Sequence, residues 1–240
     1  MAFFCYLCED MINTVRNTVM AILNKDNNGY ITPEEFNLFA KQAQLEIFEQ
    51  YFYDYTNWVN KRNARLANDG YANIQKNIAE TIDEFSTSST LVYDAPSQSF
   101  ALPADWYYVN VVLFGTKEIE YVVQNKVMNL LSSNITAPTT AYPAYYQKGD
   151  DIKVYPASIT SSVSAMYVRY PLDPKWTYTV VAGSPIFNQS AVDYQDFELP
   201  QSEQNDLVFK ILSYAGVNIR EAEVVQFATG SDNAEQTKQS

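Results

Sequence analysis

Between residues 102 and 176 the chain alternates short tyrosine- and valine-rich runs with proline and Gly-Asp turns. Such a stretch has few options: alternating apolar and polar positions bounded by turn residues build a half-buried antiparallel sheet. Residues 106–114, WYYVNVVLF, read as a strong strand ending at Gly115, with 118–123 as its partner across a tight turn. Residues 142–146 and 152–155 form a hairpin around Lys148-Gly149-Asp150-Asp151, and 163–170 adds a strand before Pro171 and Pro174 break the pattern. Residues 91–93 and 99–102 flank Pro96 as shorter strands, and 177–181 and 194–199 are further candidates. No connection is long enough for repeated helical crossovers, so the sheet is expected to be antiparallel.

The flanks change period. Met11, Ile12, Val15, Val19, Ile22 and Leu23 recur at helical spacing. Thr32, Pro33 and Glu35 then announce a second helix: Thr caps, Pro takes the first helical position and Glu35 the reciprocal capping position. Its apolar stripe runs through Phe36, Phe39, Ala40, Ala43, Ile47, Tyr51, Tyr55 and Trp58, and Lys61, Arg62 and Arg65 follow where a helix dipole favours cations. After Asn68-Asp69-Gly70 a third helix carries Ile74, Ile78, Ile82 and Phe85 and ends in the Ser-Thr run 86–90. Val127, Met128, Leu130 and Leu131 suggest a short helix within the β region. Pro200 and Ser202 open another helix with Leu207, Val208, Ile211, Leu212 and Ala215, broken at Gly216, and 218–227 a further short one. The expected fold class is therefore α+β. Residues 1–90 form the N-terminal part of a helical bundle, 91–199 an inserted antiparallel β domain, 200–228 the helices completing the bundle, and 229–240 a polar tail.

Composition removes most chemistries. The 240 residues include no histidine, which eliminates Ser-His and Cys-His nucleophilic sites and most zinc sites. Only Cys5 and Cys8 could pair, and their CxxC has neither a second pair for zinc nor a βαβ context for redox work. With 7 glycines there is no phosphate-binding loop. Adjacent carboxylates such as Glu34 with Glu35, Glu118 with Glu120, or Asp150 with Asp151 do not converge on one substrate. No enzymatic function and no cofactor are expected. A net charge of −12 opposes wrapping of nucleic acid, although an acidic wall can border DNA that must slide past. No apolar run approaches a membrane span, and the opening MAFFCYLC lacks a basic region and a cleavage site, so neither membrane nor export is expected. The 19 tyrosines favour broad protein contact surface, since tyrosine brings a large amphipathic face at low entropic cost.

One segment could hold an ion. Aligned on Gly29, residues 24–35 resemble an EF-hand calcium loop, with Asn24, Asp26, Asn28, the Tyr30 carbonyl and Glu35 as ligands and Ile31 at the apolar position. Asn24 stands where Asp is usual, Pro33 suits a helix start better, and no second loop pairs with this one. The same residues are accounted for by a helix-to-helix corner whose capping box starts the next helix, and no metal is the expected state.

The ordered set of LPADWYYV at 102–109, YPAYYQKGDDIKVYP at 142–156, YVRYPLDPKW at 167–176 and DFELPQSEQNDLVFKILSYAGVNIREAEV at 196–224 resembles head-to-tail connector proteins of tailed phages. The likeness is greatest to neck ring (adaptor) proteins of crAss-like phages, extends more distantly to tubular and gatekeeper adaptors of short-tailed phages, and covers roughly residues 11–227. It implies a virion structural protein, present in the host cytoplasm during assembly and then in the neck. About twelve copies would form a ring beneath the portal, contact the portal and further tail or ring proteins, and pass the genome without binding it specifically. The alternatives are a calcium-responsive interaction module using residues 24–35, or a receptor- or glycan-binding tail component.

Overall fold

The computed structural model describes residues 10–24, 30–63 and 74–219. The chain is an α+β protein with N-terminal helices and an inserted β domain. Five helices are described: α1 (Met11–Asn24), α2 (Pro33–Asn63), α3 (Ile74–Asp83), α4 (Gln124–Leu131) and α5 (Gln204–Ile219). The strands are β1 (Ser86–Thr90), β2 (Val92–Asp94), β3 (Ser99–Ala101), β4 (Trp106–Phe114), β5 (Lys117–Glu118), β6 (Glu120–Tyr121), β7 (Ala144–Lys148), β8 (Asp151–Tyr155), β9 (Val163–Arg169), β10 (Tyr178–Val181) and β11 (Ser184–Phe187). The expectations resting on Cys5, Cys8, Asp26, Asn28, Arg65, the 68–70 turn, the helix beyond Ile219 and the 229–240 tail lie outside the described residues, as do the side chains of Lys61 and Arg62.

Two compact units result. One is the continuous segment Ala79–Tyr170; the other gathers the described residues on either side of it. The boundaries fall inside α3 and just before Pro171, so residues 171–199 pack with the helices. In this outer unit α5 packs against both α1 and α2. Ile12, Val15, Val19 and Leu23 of α1, Phe36, Ala40, Ala43, Ile47 and Phe48 of α2, and Leu207, Ile211, Leu212 and Ala215 of α5 are buried. Their spacing is the helical one read from the sequence. The buried stripe of α2 stops at Phe48: Tyr51, Tyr55 and Trp58 are only half-buried. Helix α5 runs through Gly216 to Ile219, contrary to the expected break, because a glycine in a helix costs only about 1 kcal/mol when its neighbours Leu212 and Ala215 are packed.

The inner unit is two facing sheets, β1-β9-β4-β5 and β2-β3-β8-β7-β6. Leu91, Phe100, Val112, Ile119, Ile152, Val163, Ala165 and Tyr167 belong to one core cluster drawn from both. Three expectations are corrected. The Ser-Thr run does not end a helix: α3 stops at Asp83 and Ser86–Thr90 becomes an edge strand pairing with β9 from Ser86↔Val168 to Thr90↔Ser164. Serine and threonine serve an edge strand, where one face meets water and the ladder supplies the backbone hydrogen bonds. Residues 118–123 do not continue as one partner of β4: only Lys117–Glu118 pair with it, and Glu120–Tyr121 pair with β7 in the other sheet, parallel to it. Between them Ile119 is buried and donates its N–H to the Val112 carbonyl at 2.8 Å. Leu91 makes the equivalent corner between β1 and β2, donating to the Val163 carbonyl at 2.8 Å. A single buried apolar residue thus turns the chain from one sheet to the other, twice.

The third correction concerns residues 177–199. Tyr178–Val181 is a strand, but its partner is Ser184–Phe187 across Ala182-Gly183, both at positive φ (51° and 83°), the backbone of a tight hairpin turn. Residues 194–199 form no strand beyond one bridge, Lys175↔Gln195. The 148–151 turn forms as read, with Gly149 at φ 62° between β7 and β8. Among the described residues no helix is long and apolar enough to cross a membrane.

Candidate functional site

The tyrosines of the inner unit divide by strand face. Tyr145 and Tyr167 are buried, Tyr167 donating its hydroxyl to Asp105 Oδ1 at 3.1 Å. Tyr108, Tyr121, Tyr142 and Tyr170 are exposed. Tyr121 lies edge-on to Tyr145 at 5.5 Å, and Tyr170 edge-on to Tyr107 at 5.0 Å, so part of the exposed set is held in position by ring contacts. The tyrosine surplus therefore serves both uses, core and surface.

At the calcium-like corner the capping box is formed. The Thr32 N–H and hydroxyl donate to Glu35 Oε2 at 2.9 and 3.0 Å, and the Glu35 N–H donates back to the Thr32 hydroxyl at 3.2 Å. The carboxylate meant to be the bidentate ligand is thus turned onto its own helix start. Asn24 ends α1, Tyr30 is exposed, and Asp26 and Asn28 are not among the described residues. Among the described residues no group of three or more His, Cys, Asp or Glu is placed to hold a metal ion. Calcium at millimolar concentration is expected to leave the thermal unfolding midpoint unchanged, and Glu35→Ala to cost about 1 kcal/mol with or without calcium. A calcium-dependent rise in the midpoint that Glu35→Ala abolishes would reverse this.

The densest long-range constellation surrounds Trp176, which joins α1, α2 and the β10–β11 hairpin. Its N–H donates to Asn37 Oδ1 at 2.8 Å, its carbonyl accepts from Asn37 Nδ2 at 3.2 Å, and its indole N–H donates to Asn13 Oδ1 at 3.2 Å. Tyr178 and Phe187 stack on it at 5.7 and 5.8 Å. The Arg16 guanidinium sits 3.7 Å from the ring centroid. Arg16 is buried, its Nε has no hydrogen-bond partner, and burial lowers its pKa, so the ring face is its main compensation.

Nearby, Asp196 accepts from the N–H groups of Met11, Ile12 and Phe197 at 3.0, 2.8 and 2.8 Å, capping α1 from a distant part of the chain. Tyr194 is held above the usual tyrosine range by burial first and then by the Asp10 and Asp196 carboxylates, and its hydroxyl makes no hydrogen bond of good geometry. Gln44, fully buried, donates to the Leu172 carbonyl at 2.7 Å and accepts from the Glu198 N–H at 3.0 Å. These contacts tie residues 171–199 to the helices. None offers a nucleophile beside a base, and their chemistry is that of a structural clamp.

Between α2 and α5, Glu46 accepts from Lys210 Nζ at 2.9 Å and from the Tyr214 hydroxyl at 2.6 Å. Burial pushes the Glu46 pKa up, but the Tyr214 and Lys210 contacts outweigh it and the net shift is downward. A depressed folded-state pKa gives stability that is present above the unfolded value, about 4.3, and lost as pH falls through the folded one. Glu46→Gln is expected to flatten the stability-against-pH curve below that value and to lower stability at pH 7 by the same amount, which is small because the carboxylate is half-exposed. Equal acid sensitivity in both proteins would contradict it.

Sequence reasoning missed Arg16, Asn37, Gln44 and Asp196. Each is a polar residue whose partner lies more than a hundred positions away, and no local spacing marks such pairs. No protein-family model matches this chain, and no curated protein is significantly similar to it.

Proposed function

We propose that this chain is a non-enzymatic virion protein that assembles as a ring in a phage neck, joining portal to tail around the path of the genome. The observation that carries the reading is the arrangement of segments: helices from both ends of the chain, α1, α2 and α5, pack together, and a two-sheet β unit is inserted between them. That is the order in which the connector-like motifs occur. Three further features support it. Exposed tyrosines give broad contact surface. The polar networks around Trp176 and Gln44 anchor the long segment 171–199 to the helices, as a subunit bearing load between neighbours requires. A net charge of −12 suits a wall past which DNA slides.

A reconstruction of virions containing this protein tests the reading. The expected result is a closed ring coaxial with the portal, with a copy number matching the portal's symmetry. A peripheral position, or a stoichiometry unrelated to the portal, overturns it.

A further inference from the structure

We propose that the groove between α1 and residues 187–190 is a binding site for a neutral saccharide. Every contact it uses lies within one unit of one chain, so the inference does not depend on the ring reading.

The composition of α1 is the first sign. In a chain with 28 acidic and 16 basic residues, the 14 residues of α1 hold one charge, Arg16, and that side chain is buried. The side of the helix that lines the groove carries Asn13, Thr14, Asn17 and Thr18, two pairs one turn apart. Asparagine and threonine are weaker helix formers than the lysine and glutamate that commonly fill such positions, so their presence costs helix stability. Phe187, Asn188, Gln189 and Ser190 complete the lining, and the space enclosed is about 910 Å³, a size usual for small-molecule sites.

Hydrogen bonds fix which end of each amide is left open. Asn13 Oδ1 accepts from the Trp176 indole N–H at 3.2 Å, and Asn188 Oδ1 from the Ser190 N–H at 3.1 Å. Those partners can only donate, so each amide commits its oxygen and leaves its NH2 group without a partner among the described residues. Gln189 is the reverse: its Nε2 donates to Asp10 Oδ1 at 2.7 Å, which leaves its carbonyl oxygen open. The Thr14 and Thr18 hydroxyls donate to the Asp10 and Thr14 carbonyls at 3.3 and 2.9 Å and so present lone pairs. Asn17 makes no hydrogen bond to the described residues and offers both functions. Donors and acceptors thus stand side by side, several of them already oriented by a second contact.

That pattern selects a ligand class. No lysine or arginine lines the groove, and Asp10 is its one charge. The first N–H groups of α1 are taken by Asp196 and by the Asp10 carbonyl, so a phosphate or carboxylate ligand finds no counter-charge and no open helix end. A single carboxylate is too few to hold a metal ion. A sugar hydroxyl donates and accepts at once, so neighbouring hydroxyls use both functions against amides and a carboxylate set side by side. Ala21, Ile22 and Phe187 in the same lining give the apolar contact that the C–H face of a sugar ring needs. A polypeptide strand also pairs donors with acceptors, but it is recognised by a regular backbone edge, and the open groups here belong to side chains.

Side-chain amide resonances read the site directly. The full chain, labelled with nitrogen-15, is titrated with neutral trisaccharides of glucose, galactose, mannose and N-acetylglucosamine. At least one should move the amide signals of Asn13, Asn17, Asn188 and Gln189 with a Kd of about 1 mM, weak because each contact replaces one already made to water. Asn17→Ala should weaken that binding about tenfold. Alanine is the better helix former and Asn17 has no protein partner to lose, so the variant keeps its fold. Trisaccharides that leave all four signals unmoved, or binding that Asn17→Ala does not change, overturn the proposal. A phosphorylated sugar that binds more tightly than its neutral parent overturns the neutral class. An uncharged peptide that moves these signals where no saccharide does overturns the saccharide and gives the groove to a polypeptide.

Discussion

Trp176→Ala should lower the free energy of unfolding by about 4 kcal/mol, measured by denaturant titration at neutral pH. The side chain is 2% exposed, so its removal leaves a cavity and forfeits the stacks with Tyr178 and Phe187. It also strips Arg16 of the ring that faces its guanidinium. The cation is then buried without that compensation, which costs more than the lost attraction alone. The backbone clamp by Asn37 would survive, since it uses main-chain atoms of residue 176. Two companions isolate the causes. Trp176→Phe keeps a ring and should recover more than half of the loss, while Arg16→Met in the Trp176→Ala background should be less destabilising than Arg16→Met in the wild type. Additive effects would mean that the cation and the ring do not interact energetically.

This prediction concerns a residue that the sequence marks only as the end of YVRYPLDPKW. The distinction between what was legible and what was not follows the range of the interactions. Helices α1, α2 and α5 were legible because their burial repeats every three to four residues, and the capping box was legible because Thr32 and Glu35 are three apart. The 148–151 turn was legible through its glycine. The Ser86–Thr90 strand was not, because its conformation is supplied by β9, almost eighty residues later, and serine and threonine carry no hydrophobic alternation of their own. Residues 171–199 were hard to read for the same reason. They are held by Gln44, Asn37 and Lys41 of α2 and by the start of α1, none of which leaves a local period. For the interaction surfaces, the tyrosine count pointed to contact but could not separate Tyr167 in the core from Tyr142 in solvent.

The sheet corners lead to the second large effect. Ile119→Ala should destabilise the inner unit by about 3 kcal/mol, within the range for deleting a buried isoleucine side chain. Ile119 is 2% exposed, and its N–H holds the Val112 carbonyl while its neighbours on either side belong to different sheets. A cavity at this point loosens both β5 and β6, which have two residues each and little pairing to spare. Native-state hydrogen exchange supplies the discriminating measurement. If Ile119 is a hinge of the core, the amides of β4, β7, β8 and β9 should all exchange faster by a similar factor, because one opening exposes both sheets. Acceleration confined to residues 117–121 would mean that the corner frays without carrying the core, and the two sheets would then owe their packing to Phe100, Ile152 and Val163 instead. Leu91→Ala, at the other corner and also buried, should give the same pattern, with β1 and β2 replacing β5 and β6 as the first strands to open.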